Sequence, residues 1–342
     1  MESFWGWAVV PLAVLVGTAW LAGLVLAWLQ RRAILDHPGE RSSHHVAVPR
    51  GGGLALVPLA LFAWLMLDVA GLAPVGTSLI IATAALLAVV SWRDDLKGLG
   101  VGWRLLAHLI AASLGILAIP DSQLIFQGLL PPLLDRIVAV ILWVWFVNLY
   151  NFMDGIDGIT CTETIFLGAG IALVLLLADE ASDHAPMLAL AMAASAAGFL
   201  RWNWPPAKMF LGDIGSIPLG FVMGWLLLAM AAKGLWIPAL ILPLYYLADA
   251  TITLLARLLR GERVWQPHRQ HFYQRALAPD GDHGAVLLLI IGGNVVLLAL
   301  AACAVPFPFA ALWLALLATA TLLAQLTRRA RAAGRARGMG LN

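Results

Sequence analysis

The sequence predicts an all-α integral membrane protein that crosses the bilayer about eleven times. Of its 342 residues, 62% are hydrophobic and only 12% are charged, whereas about a quarter of the residues of a soluble domain are charged. Apolar runs of roughly 17–25 residues recur along the chain, the length that a helix needs to cross a hydrocarbon core about 30 Å thick. Because backbone amides in lipid must be paired within their own segment, these runs are predicted to be helices.

The eleven apolar runs are interpreted as membrane spans in chain order. They lie near residues 4–29, 52–70, 74–92, 103–119, 134–150, 160–178, 185–200, 216–231, 235–257, 284–303 and 306–326. The first run carries no basic region and no small-residue cleavage site, so it is interpreted as a retained helix. Since no loop is long enough to fold alone, residues 1–327 are expected to form one transmembrane domain and 328–342 a basic cytoplasmic tail.

Lys and Arg residues set the predicted orientation. With the N-terminus outside, all 21 of them except Arg136 and Lys233 fall on the cytoplasmic side, as the positive-inside rule requires. The C-terminus is then cytoplasmic. The two cysteines, Cys161 and Cys303, lie far apart in apolar surroundings, so neither a disulfide framework nor a Cys/His zinc site is expected.

Acidic, amide and histidine side chains are concentrated in five polar segments. These are residues 36–53, 93–104, 148–158, 204–216 and 261–276. All five fall on the predicted cytoplasmic face. A pore or carrier would distribute such residues through the membrane, so this arrangement predicts an active site at one surface.

Four polar residues recur every three positions at the end of one predicted span: Asn148, Asn151, Asp154 and Asp157. In a helix they would share one stripe. Their hard oxygen atoms suit Mg²⁺ when phosphate oxygens complete its shell. The alternative is a helix C-terminus followed by an ordinary acidic loop.

Asp94 and Asp95 are adjacent, so on a helix they point about 100° apart and are expected to have different tasks. One would be a base or ligand, and the other a cap or a partner for a basic neighbour; the alternative is that both are caps. Asp213 stands beside Gly212 at a predicted helix start, where free amides favour phosphate and a carboxylate fits a bridging Mg²⁺. Phe210 would stack on a base or face lipid.

The last polar segment carries a cationic cluster, His268, Arg269, His271 and Arg275. Such groups can clamp a pyrophosphate; the alternative is a basic loop that contacts lipid headgroups. The first polar segment adds positive charge at Arg41, His44 and Arg50. Its glycines at 51–53 would permit close backbone packing or a bent helix entry.

In this order, the segments DHPGERSSHHVAVPRGGG, DDLKG, NLYNFMDGIDG, FLGDIGS and HRQHFYQ resemble the polyprenyl-phosphate N-acetylhexosamine-1-phosphate transferases of glycosyltransferase family 4. That group includes the undecaprenyl-phosphate GlcNAc-1-phosphate transferase and the phospho-MurNAc-pentapeptide transferase. The resemblance implies transfer of N-acetylhexosamine-1-phosphate from a UDP-sugar to undecaprenyl phosphate, with Mg²⁺, or alternatively Mn²⁺, as cofactor. It also implies a multi-pass protein of the bacterial inner membrane whose active site is cytoplasmic. Membrane lipid is an expected partner, nucleic acid is not, and a homodimer is left open.

The resemblance also implies roles for single residues. Asp94 and Asp95 match paired catalytic aspartates, and Asn151 and Asp213 match magnesium ligands. The remaining implied site residues, catalytic or substrate-binding, are Asp154, Asp157, Asn148, Phe210, Arg41, His44, Arg50, His268, Arg269 and His271. Among them, Phe210 matches an aromatic that packs on uracil.

Two departures concern the donor sugar. HRQHFYQ (268–274) is similar to the branch that initiates O-antigen, whose donors include UDP-N-acetyl-fucosamine and UDP-N-acetyl-quinovosamine, and Ala47–Pro49 replaces a frequent Pro-Thr-Pro. The donor, a one-step or covalent mechanism, and the choice of base are left open. A transporter or flippase of lipid-linked sugars is the rival. It needs polar residues near the midplane, and Asp249 is the main such residue, with Tyr245, Tyr246 and Thr251 as expected partners.

Overall fold

The computed structural model describes residues 2–36, 46–180, 182, 184–264, 266, 268–277 and 282–339. The helices are α1 (Glu2–Arg31), α2 (Gly53–Val69), α3 (Thr77–Lys97), α4 (Val101–Gly115), α5 (Pro132–Phe152), α6 (Ile159–Leu177), α7 (Ala185–Asn203), α8 (Asp213–Met230), α9 (Trp236–Ile241), α10 (Leu244–Leu259), α11 (Phe272–Arg275), α12 (His283–Cys303) and α13 (Pro308–Met339). The short strands β1 (Leu35–Asp36) and β2 (Val48–Pro49) pair antiparallel, with Leu35 opposite Pro49.

The predicted all-α, polytopic class is confirmed. Eight described segments are long and apolar enough to cross a membrane. Each predicted span contains helix, but the one at 235–257 is broken into α9 and α10. Pro243 precedes α10, and a proline cannot continue the hydrogen-bond ladder of the helix before it. The total of eleven crossings and their orientation stay predictions.

Helix α8 lies at the centre of the bundle. Nearly all of its residues are buried, whereas α1 and α13 turn most of their apolar side chains outward. Buried indoles are satisfied by backbone carbonyls: Trp143 Nε1 donates to Phe221 O at 2.9 Å, and Trp64 Nε1 donates to Leu188 O at 3.0 Å. Such partners are needed where no water is available.

The start of α2 packs directly against the start of α8. A Cβ on Gly53 would lie 2.4 Å from Gly215 N, so only glycine allows the two backbones to approach this closely. The amides of Gly52 and Gly53 donate to Phe210 O and Leu211 O at 2.8 and 2.9 Å. This confirms the close packing expected at 51–53, and it places Arg50 beside the first turn of α8.

Candidate active site

Asp95 caps the N-terminus of α8 from a different helix. Its Oδ1 accepts from Asp213 N at 3.0 Å and its Oδ2 accepts from Ile214 N at 2.9 Å. These amides have no partner within α8, and a carboxylate there is stabilised by the helix dipole. Gly212 has a φ of +76°, and a Cβ on it would lie 2.8 Å from Asp95 Oδ2. Two of the amides at this helix start are therefore taken by Asp95 and are not free for a phosphate.

Asp213 is the point at which separate segments meet. Arg50 Nη2 lies 2.9 Å from Asp213 Oδ1 and 2.8 Å from Asp95 Oδ1. Asn151 Nδ2 donates to Asp213 Oδ1 at 3.1 Å and to Ser216 Oγ at 2.9 Å. The structure thus brings Asp95, Asn151 and Asp213 together with one guanidinium, from positions up to 163 residues apart.

Asp94 faces a different set of groups from Asp95. Its Oδ1 accepts from Leu99 N, and its Oδ2 lies 3.3 Å from Arg104 Nη1. The same Arg104 atom lies 3.7 Å from Asp213 Oδ2. The two aspartates therefore contact different partners, as their angular separation predicts. The assignment of one of them as a base stays a prediction.

The stripe predicted from 148 to 157 is helical only in its first half. Helix α5 ends at Phe152, so Asn148 and Asn151 lie one turn apart on it, while Asp154 and Asp157 lie in the following loop. The loop includes Gly158, whose φ of +78° is unfavourable for other residues. Asn148 Nδ2 donates to Val144 O at 2.7 Å.

Asp154 is half-buried in the loop after α5, near the charged groups of the site. Burial raises the pKa of its carboxyl to about 7. A hydrogen bond with the Thr160 side chain opposes this rise, and the nearby charges of Asp213 and Arg50 act in opposite directions. Since the pKa lies near neutrality, this carboxyl can hold or release a proton at physiological pH.

Asp157 connects the same loop to two other segments. Its Oδ2 accepts from Ala207 N at 2.9 Å, and its Oδ1 lies 3.1 Å from His283 Nδ1. These contacts tie the loop to the segment before α8 and to α12. They are contacts of a positioning residue, and the catalytic role implied by the family resemblance stays a prediction.

The last polar segment holds two histidines side by side, with ring centroids 4.8 Å apart. His271 is buried, and its Nδ1 lies 3.1 Å from Asp249 Oδ1. His268 is half-buried, and its Nδ1 accepts from Gln270 N at 3.2 Å. Burial, with the charges of His271 and Arg257, lowers the pKa of His268 to about 4. His268 is therefore neutral at physiological pH, with its proton on Nε2. Arg269 is exposed.

The remaining predicted substrate residues are Arg41, His44 and Phe210. Arg41 and His44 lie outside the described residues. Phe210 is half-buried, and its backbone N donates to Pro49 O at 2.8 Å. Its predicted stacking on a base stays a prediction.

A cavity of about 570 Å³ opens beside this cluster, between α4, α5 and α10. Its polar end is formed by Arg104, His108, Asn148 and Asn151, and two of these also contact Asp213. The rest of the wall is mostly apolar and includes Leu105, Ile141, Val144, Ile217, Leu254, Leu255 and Leu258. The cavity therefore joins an apolar groove to the charged cluster.

Sequence reasoning assigned no site role to Arg104 or His108. Arg104 lies ten positions after Asp94, within the polar segment 93–104, and that proximity was the available signal. His108 stands alone in an apolar run one turn further along α4. Only the packing of α4 on α5 shows that it borders the site.

The expected partners of Asp249 are mostly wrong. Tyr245 does donate to it, at 3.3 Å. Tyr246 Oη instead lies 3.5 Å from Thr160 Oγ1, and Thr251 Oγ1 accepts from Trp145 Nε1 at 3.3 Å.

The two predicted magnesium ligands, Asn151 and Asp213, lie in direct contact, and their role as ligands stays a prediction. Among the described residues, no group of three His, Cys, Asp or Glu side chains could hold a metal alone. Asn151 Nδ2, however, donates to Asp213 Oδ1 at 3.1 Å, so a cation here would be held by the Asp213 carboxylate and by the other amide atom of Asn151, its oxygen. Mg²⁺ is usually bound by one or two carboxylates, with waters and substrate phosphates filling its octahedral shell.

The central part of the chain matches a known protein family. The profile described as glycosyl transferase family 4 matches residues 77–231, the range that contains Asp95, Asn151 and Asp213. The chain is 27% identical over 274 residues to a Bacillus subtilis protein named for undecaprenyl-phosphate N-acetylglucosaminyl 1-phosphate transfer, covering 75% of this chain and 73% of the relative. It is 27% identical over 322 residues to the decaprenyl-phosphate N-acetylglucosaminephosphotransferase of Mycobacterium leprae, covering 83% and 80%. The enzyme of that name from Mycolicibacterium smegmatis is 26% identical, covering 83% and 78%.

Proposed function

Because this chain belongs to glycosyl transferase family 4, we propose that it transfers N-acetylhexosamine-1-phosphate from a UDP-sugar to undecaprenyl phosphate. UMP is released and undecaprenyl-diphospho-sugar is formed. The observation that carries the proposal is the junction at Asp213. There Arg104 and Asn151 contact the carboxylate and also line the apolar cavity, so a charged centre and a lipid groove share one boundary.

The cavity is the proposed acceptor site. Its volume of about 570 Å³ is that of a small-molecule pocket, so it holds the phosphate-proximal part of a polyprenyl chain while the remainder lies in lipid. Arg104 at its polar end places positive charge where the acceptor phosphate would lie. Guanidinium groups bind phosphate oxygens through charge-assisted hydrogen bonds.

The donor diphosphate is proposed to bind on the other side of Asp213. Asp213 and Asn151 would hold Mg²⁺, or alternatively Mn²⁺, which when bound neutralises negative charge on the diphosphate. Arg50 fixes the Asp213 carboxylate, and Asp95 fixes the first turn of α8 that carries it. This second layer of contacts keeps the ligand groups preorganised, as efficient phosphoryl transfer requires.

In the reaction, an oxygen of the acceptor phosphate attacks the sugar-bearing phosphorus of the donor. The bond from that phosphorus to the bridging oxygen breaks, and UMP leaves with that oxygen. Asp94 or Asp95 keeps the acceptor phosphate deprotonated. The chain thereby starts the assembly of O-antigen or another envelope glycan at the cytoplasmic face of a bacterial inner membrane.

The transporter alternative relied on Asp249 as a polar residue near the membrane midplane. Asp249 is buried, but its carboxylate accepts hydrogen bonds from its surroundings, including Tyr245 Oη, Phe272 N and Tyr273 N. It therefore does not stand as an unpaired charge along a transport path.

The test uses purified full-length protein, undecaprenyl phosphate and a panel of UDP-N-acetylhexosamines that includes the GlcNAc, FucNAc and QuiNAc donors. We expect Mg²⁺-dependent release of UMP, with one lipid-linked sugar formed for each UMP. A folded protein that releases no UMP with any donor, yet moves a lipid-linked sugar across vesicles, would overturn the transferase proposal in favour of a flippase.

A further inference from the structure

Asp249 lies in α10, outside the cluster around Asp213, and its side chain is fully buried. Its Oδ1 lies 3.1 Å from His271 Nδ1 and accepts from Phe272 N at 3.0 Å, while its Oδ2 accepts from Tyr273 N at 3.2 Å. Three successive residues of the last polar segment are therefore held by one carboxylate. The two amides belong to the first turn of α11, where they lack partners in their own helix.

The Asp249 carboxylate also accepts from the backbone amides of Phe272 and Tyr273. With the same group as acceptor in the contact with His271, Nδ1 is the donor of the pair. Fixing one ring nitrogen fixes the orientation of the whole imidazole. This ring packs against that of His268, with centroids 4.8 Å apart, and against Tyr273 at 5.6 Å with 19° between the planes. Since His271 is buried and His268 is half-buried, His271 lies on the inner side of the pair.

His268 is the more accessible member of the pair. Its Nδ1 accepts from Gln270 N at 3.2 Å, so Nε2 carries the proton and can donate to an anionic oxygen. The orientation of the His268 ring, and with it the direction of the Nε2–H bond, depends on its packing against His271.

Helix α11 also packs against the end of α5, which carries Asn151. Tyr273 Oη donates to Phe152 O at 3.1 Å, and Phe152 directly follows Asn151. A Cβ on Gly155 would lie 2.2 Å from Tyr273 Oη, so the turn packs closely on the loop that contains Asp154. The position of α11 is therefore fixed from Asp249 on one side and from the end of α5 on the other.

We propose that Asp249 is a positioning residue for the transfer reaction, which holds His268 at the donor diphosphate through His271 and Tyr273. The inference rests on the proposed function and adds a role for a residue that does not itself touch substrate. It assigns the turn at α11 to the donor, because Tyr273 of that turn packs on the 152–155 region that leads to Asp154, whereas Val264 at the start of the same polar segment lines the cavity.

The test compares Asp249→Asn with Tyr245→Phe in the full-length protein. Both variants disturb the same carboxylate, but Tyr245→Phe removes only the hydroxyl that donates to Oδ2 at 3.3 Å. For Asp249→Asn we expect kcat/KM for the UDP-sugar to fall about 10–100-fold, the usual effect of losing a carboxylate that orients a histidine. The KM for undecaprenyl phosphate should stay within about twofold, and Tyr245→Phe should keep both constants near wild type.

A purely structural role for Asp249 would lower the active fraction and leave both KM values unchanged, and that result would overturn the proposal. A double variant gives a second readout. If Asp249 acts through His268, then Asp249→Asn should cost little further activity in a His268→Gln background. Losses that multiply would also overturn it.

Tyr273→Phe carries the test if Asp249→Asn does not fold. It removes the bond to Phe152 O and keeps both amide bonds to Asp249. We expect its KM for the UDP-sugar to rise severalfold. An unchanged KM would refute the proposal that the contact between Tyr273 and Phe152 positions α11 for the donor. A wild-type protein that releases no UMP would instead refute the proposed function, and this inference would fall with it.

Discussion

Replacing Asp213 by asparagine tests the centre of the proposed site most directly. The change keeps the size of the side chain and its contact with Asn151, but it removes the negative charge that lies 2.9 Å from Arg50 Nη2 and 3.7 Å from Arg104 Nη1. Unit charges about 4 Å apart attract by about 4 kcal/mol at the effective dielectric near a protein surface. A cation held by this carboxylate would lose stabilisation of similar size.

At about 1.36 kcal/mol for each factor of ten, this loss corresponds to roughly a thousandfold fall in rate. The measurement is UMP release at saturating donor and acceptor with Mg²⁺ present. Asp121→Asn is the matched control, because it makes the same change in charge at an exposed carboxylate 3.7 Å from Arg136 Nη2. A folded Asp213→Asn protein that keeps more than about a tenth of the wild-type kcat would refute the reasoning about the cation.

Three further changes test the acceptor groove, the carboxyl of Asp154 and the helix packing. Leu255→Trp should raise the KM for undecaprenyl phosphate about tenfold or more and spare the KM for the UDP-sugar, because Leu255 lines the cavity. Burial raises the pKa of Asp154 from 3.8 to about 7, so its ionisation opposes folding, and stability present at low pH is lost as the pH rises to about 7. The Tm of the wild type should therefore fall more than that of Asp154→Asn between about pH 5 and about pH 8, and the stability lost over this window is at most about 3 kcal/mol, from about two pH units below the raised pKa. Gly53→Ala should destabilise the protein by about 3 kcal/mol or more in thermal unfolding, since its Cβ would lie 2.4 Å from a backbone nitrogen of α8.

Each of these variants has a control or a contradicting outcome. Leu259→Trp enlarges a side chain on the same helix that is 87% exposed, so an equal rise in KM would argue against the groove. Parallel pH profiles for the wild type and Asp154→Asn would contradict the raised pKa of the Asp154 carboxyl. Gly102→Ala adds a Cβ where nothing lies within 4 Å, and an equal loss of stability there would contradict the packing argument.

Part of the candidate site could be predicted because its residues lie close together in the sequence. The separation of tasks between Asp94 and Asp95 follows from the 100° step of a helix, and the structure places them on different partners. The predicted stripe from 148 to 157 is wrong in its second half, because periodicity predicts a shared face only while the helix continues. The glycines at 155 and 158 marked the loop, but they did not reveal that α5 ends at Phe152.

The sequence does not reveal which residues cap the N-termini of α8 and α11. Gly212 and His271 occupy the cap positions of α8 and α11, and neither provides a side-chain hydrogen bond to its helix. The missing acceptors are Asp95 and Asp249, which come from other helices. An absent cap can be noticed in a sequence, but the carboxylate that replaces it is found only when the helices are packed.

Composition and the lengths of the apolar runs are enough to predict that this protein is helical and lies in a membrane, and the spacing of polar residues picks out the segments that meet in the structure. These properties follow from composition and from the length of apolar runs, which depend on the solvent and not on the neighbours of each residue. Three contacts are visible only in the packed helices: Asp95 caps α8, Arg104 lies 3.7 Å from Asp213, and Asp249 accepts from the amides of α11. Those contacts depend on which helix faces join, and side-chain periodicity fixes a face without naming its partner.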